Sequence, residues 1–509
     1  MTMRPTTTRV CLAAFLLIAA APGGLFEARV GQKEPVDAAA IAKIRDEGLN
    51  RSQAAMLFSM LTDEIGPRLS GSPEYNRAAE WARTTMAGWG LANARLEPFE
   101  FARGWTLEKF TLELVEPRYM PLLGYPEAWS PSTAGEVVVP VVSVAGKSAE
   151  DVTAMQAQLE GVAVMQAPVV TNFIVSDRAQ PTAPDFEPPA ARGRQGGRGG
   201  RGGQGRGGRG GGGPSITQVI TAAAPAVLLK PSRGMHGTVF VQAGRDNPDD
   251  TLPKVVLAGE HYNMIARLLE RGTPVKIRVN VQARFLDADR NSFNVLAEIP
   301  GTDPALRDEI VMLGAHLDSW HVGVGATDNA DGVTAAMEAF RILKAAGLAP
   351  KRTLRLALWG GEEQGLLGSR AYVEQHLAGD ANAAARANLM VYFNIDPGKG
   401  PIYGWFLENN PNVRPMFDAW LAPFKNLGAV RNVPHGIGST DHLSFIRQGM
   451  LGFNPVQDYV DYDVREHHTN ADTPERIRED DLKQSAVILA AFLHHAAARG
   501  QRLPAAGGQ

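Results

Sequence analysis

Histidines and carboxylates gather in four short segments of this 509-residue chain. Gly314-Ala315-His316-Leu317-Asp318-Ser319 leads through a glycine-rich passage to Ala326-Thr327-Asp328-Asn329-Ala330-Asp331-Gly332. Trp359-Gly360-Gly361-Glu362-Glu363-Gln364 comes next, then Asn394-Ile395-Asp396, and last His467-His468-Thr469-Asn470-Ala471-Asp472-Thr473. Imidazole nitrogens and carboxylate oxygens in one place suit Zn²⁺ or a similar divalent ion. Taken singly, each residue has a plainer role. A histidine after a strand is often a hydrogen-bonded structural residue, Glu362-Glu363 could be a solvated loop, Asp396 could cap a turn, and Asp331 could cap the helix starting at Gly332. In this order, each following an apolar run, they read together as a metal centre.

Those apolar runs must do the positioning. Ile310 to Leu313, Leu354 to Trp359, Leu389 to Asn394 and Leu451 to Phe453 read as buried strands. Between them Val333 to Leu343 reads as an amphipathic helix, with Val333, Ala336, Met337, Phe340 and Leu343 on one face. Leu482, Leu489 and Leu493 mark a terminal helix ending at Gly500. Strands alternating with helices predict an α/β fold with a mostly parallel central sheet covered on both faces. In such sheets ligands bind beyond the carboxyl ends of the strands, where these segments fall. His316 and Asp318 are two residues apart, so an extended backbone points both the same way.

Upstream, Asp37 can cap a short helix and Ala54 to Leu61 reads as another. Ser72-Pro73 is a strong helix start for a helix that stops at Gly90. Arg95 to Phe101 alternates as a strand, placed at an edge by Pro98. From about Glu136 the texture shifts to short strands at Val137–Val142, Val162–Met165, Ala226–Leu229, Lys254–Leu257 and Val275–Val279. They describe a strand-rich module, 136–282, inserted between residues 29–135 and 283–509 of the main α/β unit. Inside it, 191–214 is almost entirely Gly, Arg and Gln. An RNA-binding Arg-Gly tract is one reading; a disordered surface loop fits better, because such a composition cannot bury enough apolar area to order itself.

Hydrophobic residues make up 44%, charged residues 21%, and the net charge is -3. That balance argues against nucleic acid or an anionic membrane as the main partner. Arg4 and Arg9 flank the apolar run Val10 to Ala21, which is shorter than the roughly 20 residues that span a bilayer. Residues 1–28 are therefore expected to be a cleaved export signal that leaves no membrane anchor, with a periplasmic or secreted product. The one cysteine, Cys11, lies within it. A mature chain would then hold metal through nitrogen and oxygen alone.

At these motifs, and at Leu61-Thr62-Asp63-Glu64-Ile65-Gly66-Pro67-Arg68-Leu69-Ser70-Gly71-Ser72-Pro73 near the start, the chain resembles the M28 family of zinc peptidases. The likeness covers nearly the whole mature chain, and the inserted module resembles a protease-associated domain. It implies an exopeptidase acting on peptide ends with two Zn²⁺ ions, one held by His316 and Asp396, the other by Glu363 and His468, with Asp328 bridging. Glu362 would be the general base, Asp318 would orient His316, and Asp472 could support the site from behind. His467 competes with His468 for the last ligand position. Asp441 and His442, in Gly438-Ser439-Thr440-Asp441-His442, resemble a segment beside the substrate, or simply open a capped helix. The family also implies a cis peptide bond after Asp328. Carboxypeptidase or dipeptidase action is favoured, aminopeptidase action is the alternative, and a homodimer is possible. A catalytically dead binding protein on the same fold would lack part of the ligand set, and here the set is complete. His321, His435, His494 and His495 match no ligand position and are expected at the surface.

Overall fold

The computed structural model describes residues 1–2, 34–181, 214–241 and 244–507. Apart from its first two residues, the segment expected to be an export signal, with Cys11, lies outside the described residues, as does nearly all of the Arg-Gly tract. Met1–Pro35 is a unit apart from Val36–Gln509, and every described strand and helix belongs to the latter. Among the described residues no helix is long and apolar enough to cross a membrane.

Along the chain the strands are β1 (Ala92–Glu100), β2 (Gly104–Glu116), β3 (Met120–Pro121), β4 (Gly124–Pro126), β5 (Val137–Ser143), β6 (Ala163–Met165), β7 (Val227–Pro231) and β8 (Lys254–Leu257). They continue as β9 (Lys276–Leu286), β10 (Asn291–Ile299), β11 (Ile310–His316), β12 (Thr353–Trp359), β13 (Leu389–Asn394), β14 (Lys399–Phe406) and β15 (Gly452–Asp458). One sheet has the order β1-β10-β12-β11-β13-β15-β14. Its four central strands, β12, β11, β13 and β15, are parallel. Both flanks are antiparallel, with β1 on the outer edge, where its proline predicts it.

The central strands are buried on both faces, which is why they read as continuous apolar runs. Val311, Leu313 and Ala315 point into one core with Leu356, Leu358, Val391 and Phe393. Met312 points into the other with Ala357, Trp359 and Tyr392. The first core is closed by the helices Asp331–Ala345 and Glu479–Ala498. Asp331–Ala345 is not amphipathic in the expected sense, because residues 331–343 are all buried. Its polar side faces the helix Ala38–Asn50, where Arg341 pairs with Glu338 and Glu47, both contacts at 2.6 Å. Ser72 accepts a hydrogen bond from the Tyr75 amide and Pro73 fills the first turn, so that helix starts where its cap residues place it.

The second sheet has the order β3-β2-β9-β5-β6-β7-β8-β4. It reaches outside 136–282, because β2 pairs with β9 from Gly104↔Leu286 to Glu116↔Lys276. Alternation in β2 carries no sign of which sheet it joins; the antiparallel partner arrives some 160 residues later in the chain. β5, β6, β7 and β8 are parallel in part of this sheet, and helices Gly259–Glu270 and Ile216–Ala222 pack on it through Tyr262 and Ile265, and through Val219 and Ile220. Between the two sheets, beside the strand ends that carry the motifs, Leu69, Trp105, Ala128, Trp129 and Trp320 form a compact apolar cluster.

One buried side chain ties this region together. Arg68 is fully buried and donates from Nε to the Leu317 carbonyl at 2.9 Å, from Nη1 to Gly66 and Val324 at 2.9 and 2.8 Å, and from Nη2 to Gly325 at 2.9 Å. Burial lowers its pKa to about 10, opposed by Asp472, Asp318 and Asp328. Only a planar fork can serve acceptors spread so widely. Arg68→Lys should therefore strand buried carbonyls and lower stability by on the order of 3 kcal/mol, read as a fall in the thermal midpoint. A midpoint equal to the parent's would contradict it.

Candidate metal centre and active site

Parallel strands end along one edge, so the segments leaving β11, β12, β13 and β15 converge there. His316 is the last residue of β11; Glu362 and Glu363 come just after β12, Asp396 just after β13, and His468 stands in the loop beyond β15. His316 Nε2 lies 3.0 Å from Asp328 Oδ1 and 3.7 Å from Asp396 Oδ1. His468 Nε2 lies 3.3 Å from Asp328 Oδ2 and 2.8 Å from Glu363 Oε2. Asp328 thus turns one carboxylate oxygen to each imidazole. The donor atoms of His316, Asp328 and Asp396 all lie within 4.8 Å of one another.

Backbone features place Asp328. It precedes the helix Asp331–Ala345 in an irregular stretch where Asp328 and Asn329 leave helical geometry, and the Asp328–Asn329 peptide bond is cis, as the resemblance implied. Asp472 accepts from the amides of Thr327 and Asp328 at 2.7 and 3.2 Å, and Asn329 donates to the Ile395 carbonyl at 2.9 Å. Asp331 is the first residue of the helix and accepts from the Gly332 amide at 2.6 Å. Gly314 is needed two residues before His316. A Cβ there would stand 2.3 Å from the Tyr392 hydroxyl, which accepts from Trp359 Nε1 at 2.7 Å and donates to Asn394 at 2.6 Å.

Asp318 stands beside His316. Its backbone carbonyl meets His316 Nδ1 at 2.9 Å, and a carboxylate oxygen lies 3.6 Å from the same nitrogen. A proton on Nδ1 leaves the Nε2 lone pair facing the carboxylates. The Asp318 carboxylate accepts from the amides of Glu362 and Glu363 at 3.2 and 3.3 Å, so it aims that pair. Trp320, which the motif reading passed over, donates from Nε1 to Glu363 Oε2 at 2.9 Å. Only its position just after His316-Leu317-Asp318-Ser319 could have signalled this.

His467 and His468 both come near Asp328, and both can join it in a three-residue group. His468 is the better placed: its Nε2 reaches Glu363 as well, whereas His467 Nε2 is 3.9 Å from Asp328 and its ring stacks between Tyr462 and His468. Asp441 is buried, with neither carboxylate oxygen hydrogen-bonded, and it makes no cap bond to the helix His442–Ile446. His442 Nε2 lies 3.3 Å from Glu408 Oε1. Of the histidines expected at the surface, His495 is buried and stacks on Trp420, while His321 is half-buried, its Nε2 meeting the Pro126 carbonyl at 2.9 Å against the Trp105 ring. Both fill gaps between elements distant in sequence, which local patterning does not reveal.

Electrostatically the site is overloaded with acid. Burial pushes Glu363, Asp441 and Asp472 each up to about 7, with neighbouring carboxylates adding to it. Glu362 is also raised, by burial and by Asp396, Asp441 and Glu363. Burial works against a charged His468, yet Glu363 and Asp328 hold it up to about 10. His316 Nε2 and Glu363 Oε1 are buried without a hydrogen-bond partner. Nitrogen and oxygen donors left open, in excess negative charge, fit divalent zinc.

Residues 294–493 match the model of peptidase family M28. The chain is 27% identical over 462 residues to carboxypeptidase Q of Bos taurus, covering 89% of this chain and 87% of that protein. Among solved structures, a peptidase M28 precursor from Shewanella amazonensis superposes with a TM-score of 0.66 at 22% identity, covering 92% of this chain and 99% of the other. A zinc aminopeptidase from Bacillus subtilis gives 0.56 at 17% identity, with 93% and 98% covered. The last two establish likeness of fold.

The charge balance predicts how a metal-stripped sample behaves. Acids whose folded pKa is raised to about 7, from about 4 when unfolded, make stability fall as pH climbs between those values. A histidine raised to about 10 extends the loss from about 6.5 to about 10. Chelated protein should therefore melt lower at pH 8 than at pH 5, and added zinc should raise the melting temperature more at pH 8. An equal zinc shift at both pH values would refute this.

Proposed function

We propose that this chain, whose residues 294–493 match peptidase family M28, is a zinc-dependent exopeptidase that hydrolyses the terminal bonds of short peptides or dipeptides, using two zinc ions at the strand ends. One observation carries the two-ion reading: Asp328 offers Oδ1 towards His316 and Oδ2 towards His468. His316 and Asp396 would hold one ion, Glu363 and His468 the other, and Asp328 would be shared. A shared carboxylate offsets part of the repulsion between two dications, which in such sites lie about 3.5–4 Å apart.

When bound, zinc polarises the scissile carbonyl and lowers the pKa of the attacking water from about 15.7 towards 7. Glu362 takes the proton from that water and delivers it to the leaving amine. Its burial among Asp396, Asp441 and Glu363 raises its basicity, and the Asp318 carboxylate holds its backbone in place. Trp320 fixes Glu363, and the carbonyl of Asp318 fixes the tautomer of His316. Asp441, buried with its carboxylate oxygens free of hydrogen bonds, would meet a polar end of the substrate, next to His442, whose ring lies 3.3 Å from Glu408.

The segment between β7 and β8, in the module read as a protease-associated domain, lies against the loop that carries His468. The Val241 amide donates to the His468 carbonyl at 3.0 Å, and Phe240 bridges Thr469. Walls of this kind suit a peptide end better than the middle of a folded chain. Likeness to carboxypeptidase Q along most of the chain favours release from the carboxyl end. Export by a cleaved signal over residues 1–28 accords with a site built without sulfur.

Glu362→Gln should retain both ions and lose roughly 10²–10⁴ in turnover. Glu363→Gln should instead weaken binding of one ion, read by metal analysis after dialysis. If both variants hydrolyse peptides like the parent, the roles are wrong.

Digestion of an unstructured decapeptide, followed by mass spectrometry, should give a ladder of single-residue losses from the carboxyl end. A ladder from the amino end would reverse the polarity, and internal fragments appearing first would refute exopeptidase action.

A further inference from the structure

His468 stands in an awkward place. It lies in the irregular loop between β15 and the terminal helix, and its own φ is +64°, a left-handed value for a side chain with a Cβ. On one side the Val241 amide holds its carbonyl. On the other, its ring lies 3.6 Å from that of His467, which stacks on Tyr462 at 5.1 Å with the planes 29° apart. The orientation of His468 therefore depends on whatever holds Tyr462.

A remote part of the chain does so. Asp177 and Arg178 lie beyond β6, in the inserted module. Asp177 accepts from three backbone amides of the Tyr462 turn: Asp461 at 2.9 Å through Oδ2, and Asp463 and Val464 at 2.9 and 3.1 Å through Oδ1. Arg178 forks onto the Asp463 carboxylate, Nε at 2.8 Å and Nη2 at 2.5 Å. Its guanidinium also lies over the Tyr462 ring at 5.2 Å. The planes of Arg178, Tyr462, His467 and His468 thus form a continuous column from the module to the metal centre.

We infer that Asp177 and Arg178 are positioning residues that clamp the 461–464 turn and, through the Tyr462–His467 stack, set the orientation of the His468 imidazole. Asp177 satisfies amides that the irregular turn leaves without backbone acceptors. Arg178 supplies both the carboxylate fork and a flat cation for the ring face, a combination lysine lacks. In this arrangement His467 is a spacer in the column and His468 is the ligand. The inserted module would then complete one metal site, beyond walling the cleft. The inference rests on the assignment of His468 as a zinc ligand.

Three variants of the full chain test it: Arg178→Gln, Asp177→Asn and, as reference, His468→Ala. Zinc affinity is measured by competition with a chromophoric chelator, and the site is viewed through the absorption of the cobalt(II)-substituted protein. The Arg178 side chain is 40% exposed, so its loss removes no core and a folded protein with a near-parent melting temperature is expected. Arg178→Gln and Asp177→Asn should each weaken one ion about 10-fold, leave the other at parent affinity, and alter the cobalt spectrum as His468→Ala does in stronger form. In the zinc-loaded enzyme kcat should fall while KM holds. Parent affinity for both ions in both variants overturns the inference, and so does equal loss of both ions or global unfolding, which would make the pair a stability element. His468→Ala retaining both ions at parent affinity would remove the ligand assignment itself.

Discussion

Buried negative charge is the constraint around which this structure is organised. Asp318, Asp328, Asp396, Asp441 and Asp472 are all buried, with Glu362 and Glu363 among them. Carboxylates at such density cannot all stay ionised without compensation, and here it takes three forms. Arg68 brings a buried positive charge close to Asp472, Asp318 and Asp328. Backbone amides supply dipoles, two to Asp318 and two to Asp472. His316 and His468 supply nitrogen donors, and the two proposed zinc ions would supply what remains.

These compensations also fix geometry. Asp318 ties the turn after β12 to the end of β11, Asp472 ties the loop after β15 to the Asp328 segment, and Arg68 ties the chain before the helix starting at Pro73 to both sides of the glycine-rich passage. Beneath them a hydrogen-bonded chain runs from Trp359 through Tyr392 and Asn394 to Thr440, linking the ends of β12 and β13 to the segment holding Asp441. The donor atoms therefore stand on rigid strands on three sides. The fourth side, around His468, is an irregular loop, and it is the side on which the inserted module leans.

Much of this is legible in the chain itself, for identifiable reasons. β11, β12 and β13 are buried on both faces, so each appears as a largely apolar run with its functional residues at or just after its end. Ser72-Pro73 and Asp37 mark helix starts because capping is decided within a few residues. The features that escape such a reading are non-local. β14 and β10, antiparallel flanks, carry no signature separating them from their parallel neighbours. β2 belongs to the second sheet only because β9 returns to it. His495 reads as a surface residue, although packing against Trp420 buries it, and His321 is half-buried against Trp105.

The sequence by itself determined the donor types, their order and the strands that would deliver them, because hydrophobic periodicity and local caps are properties of neighbouring residues. Tertiary structure alone decided which atom does what. Asp318 serves His316 with its carbonyl and the glutamate pair with its carboxylate, a division set by how β11 and β12 lie side by side. His468 rather than His467 meets Glu363 because the loop is gripped from both sides by the inserted module, through Val241 on one and Asp177 on the other. Those partners lie more than two hundred residues away along the chain, beyond the reach of any local pattern, and only the folded arrangement brings them to the same few ångströms.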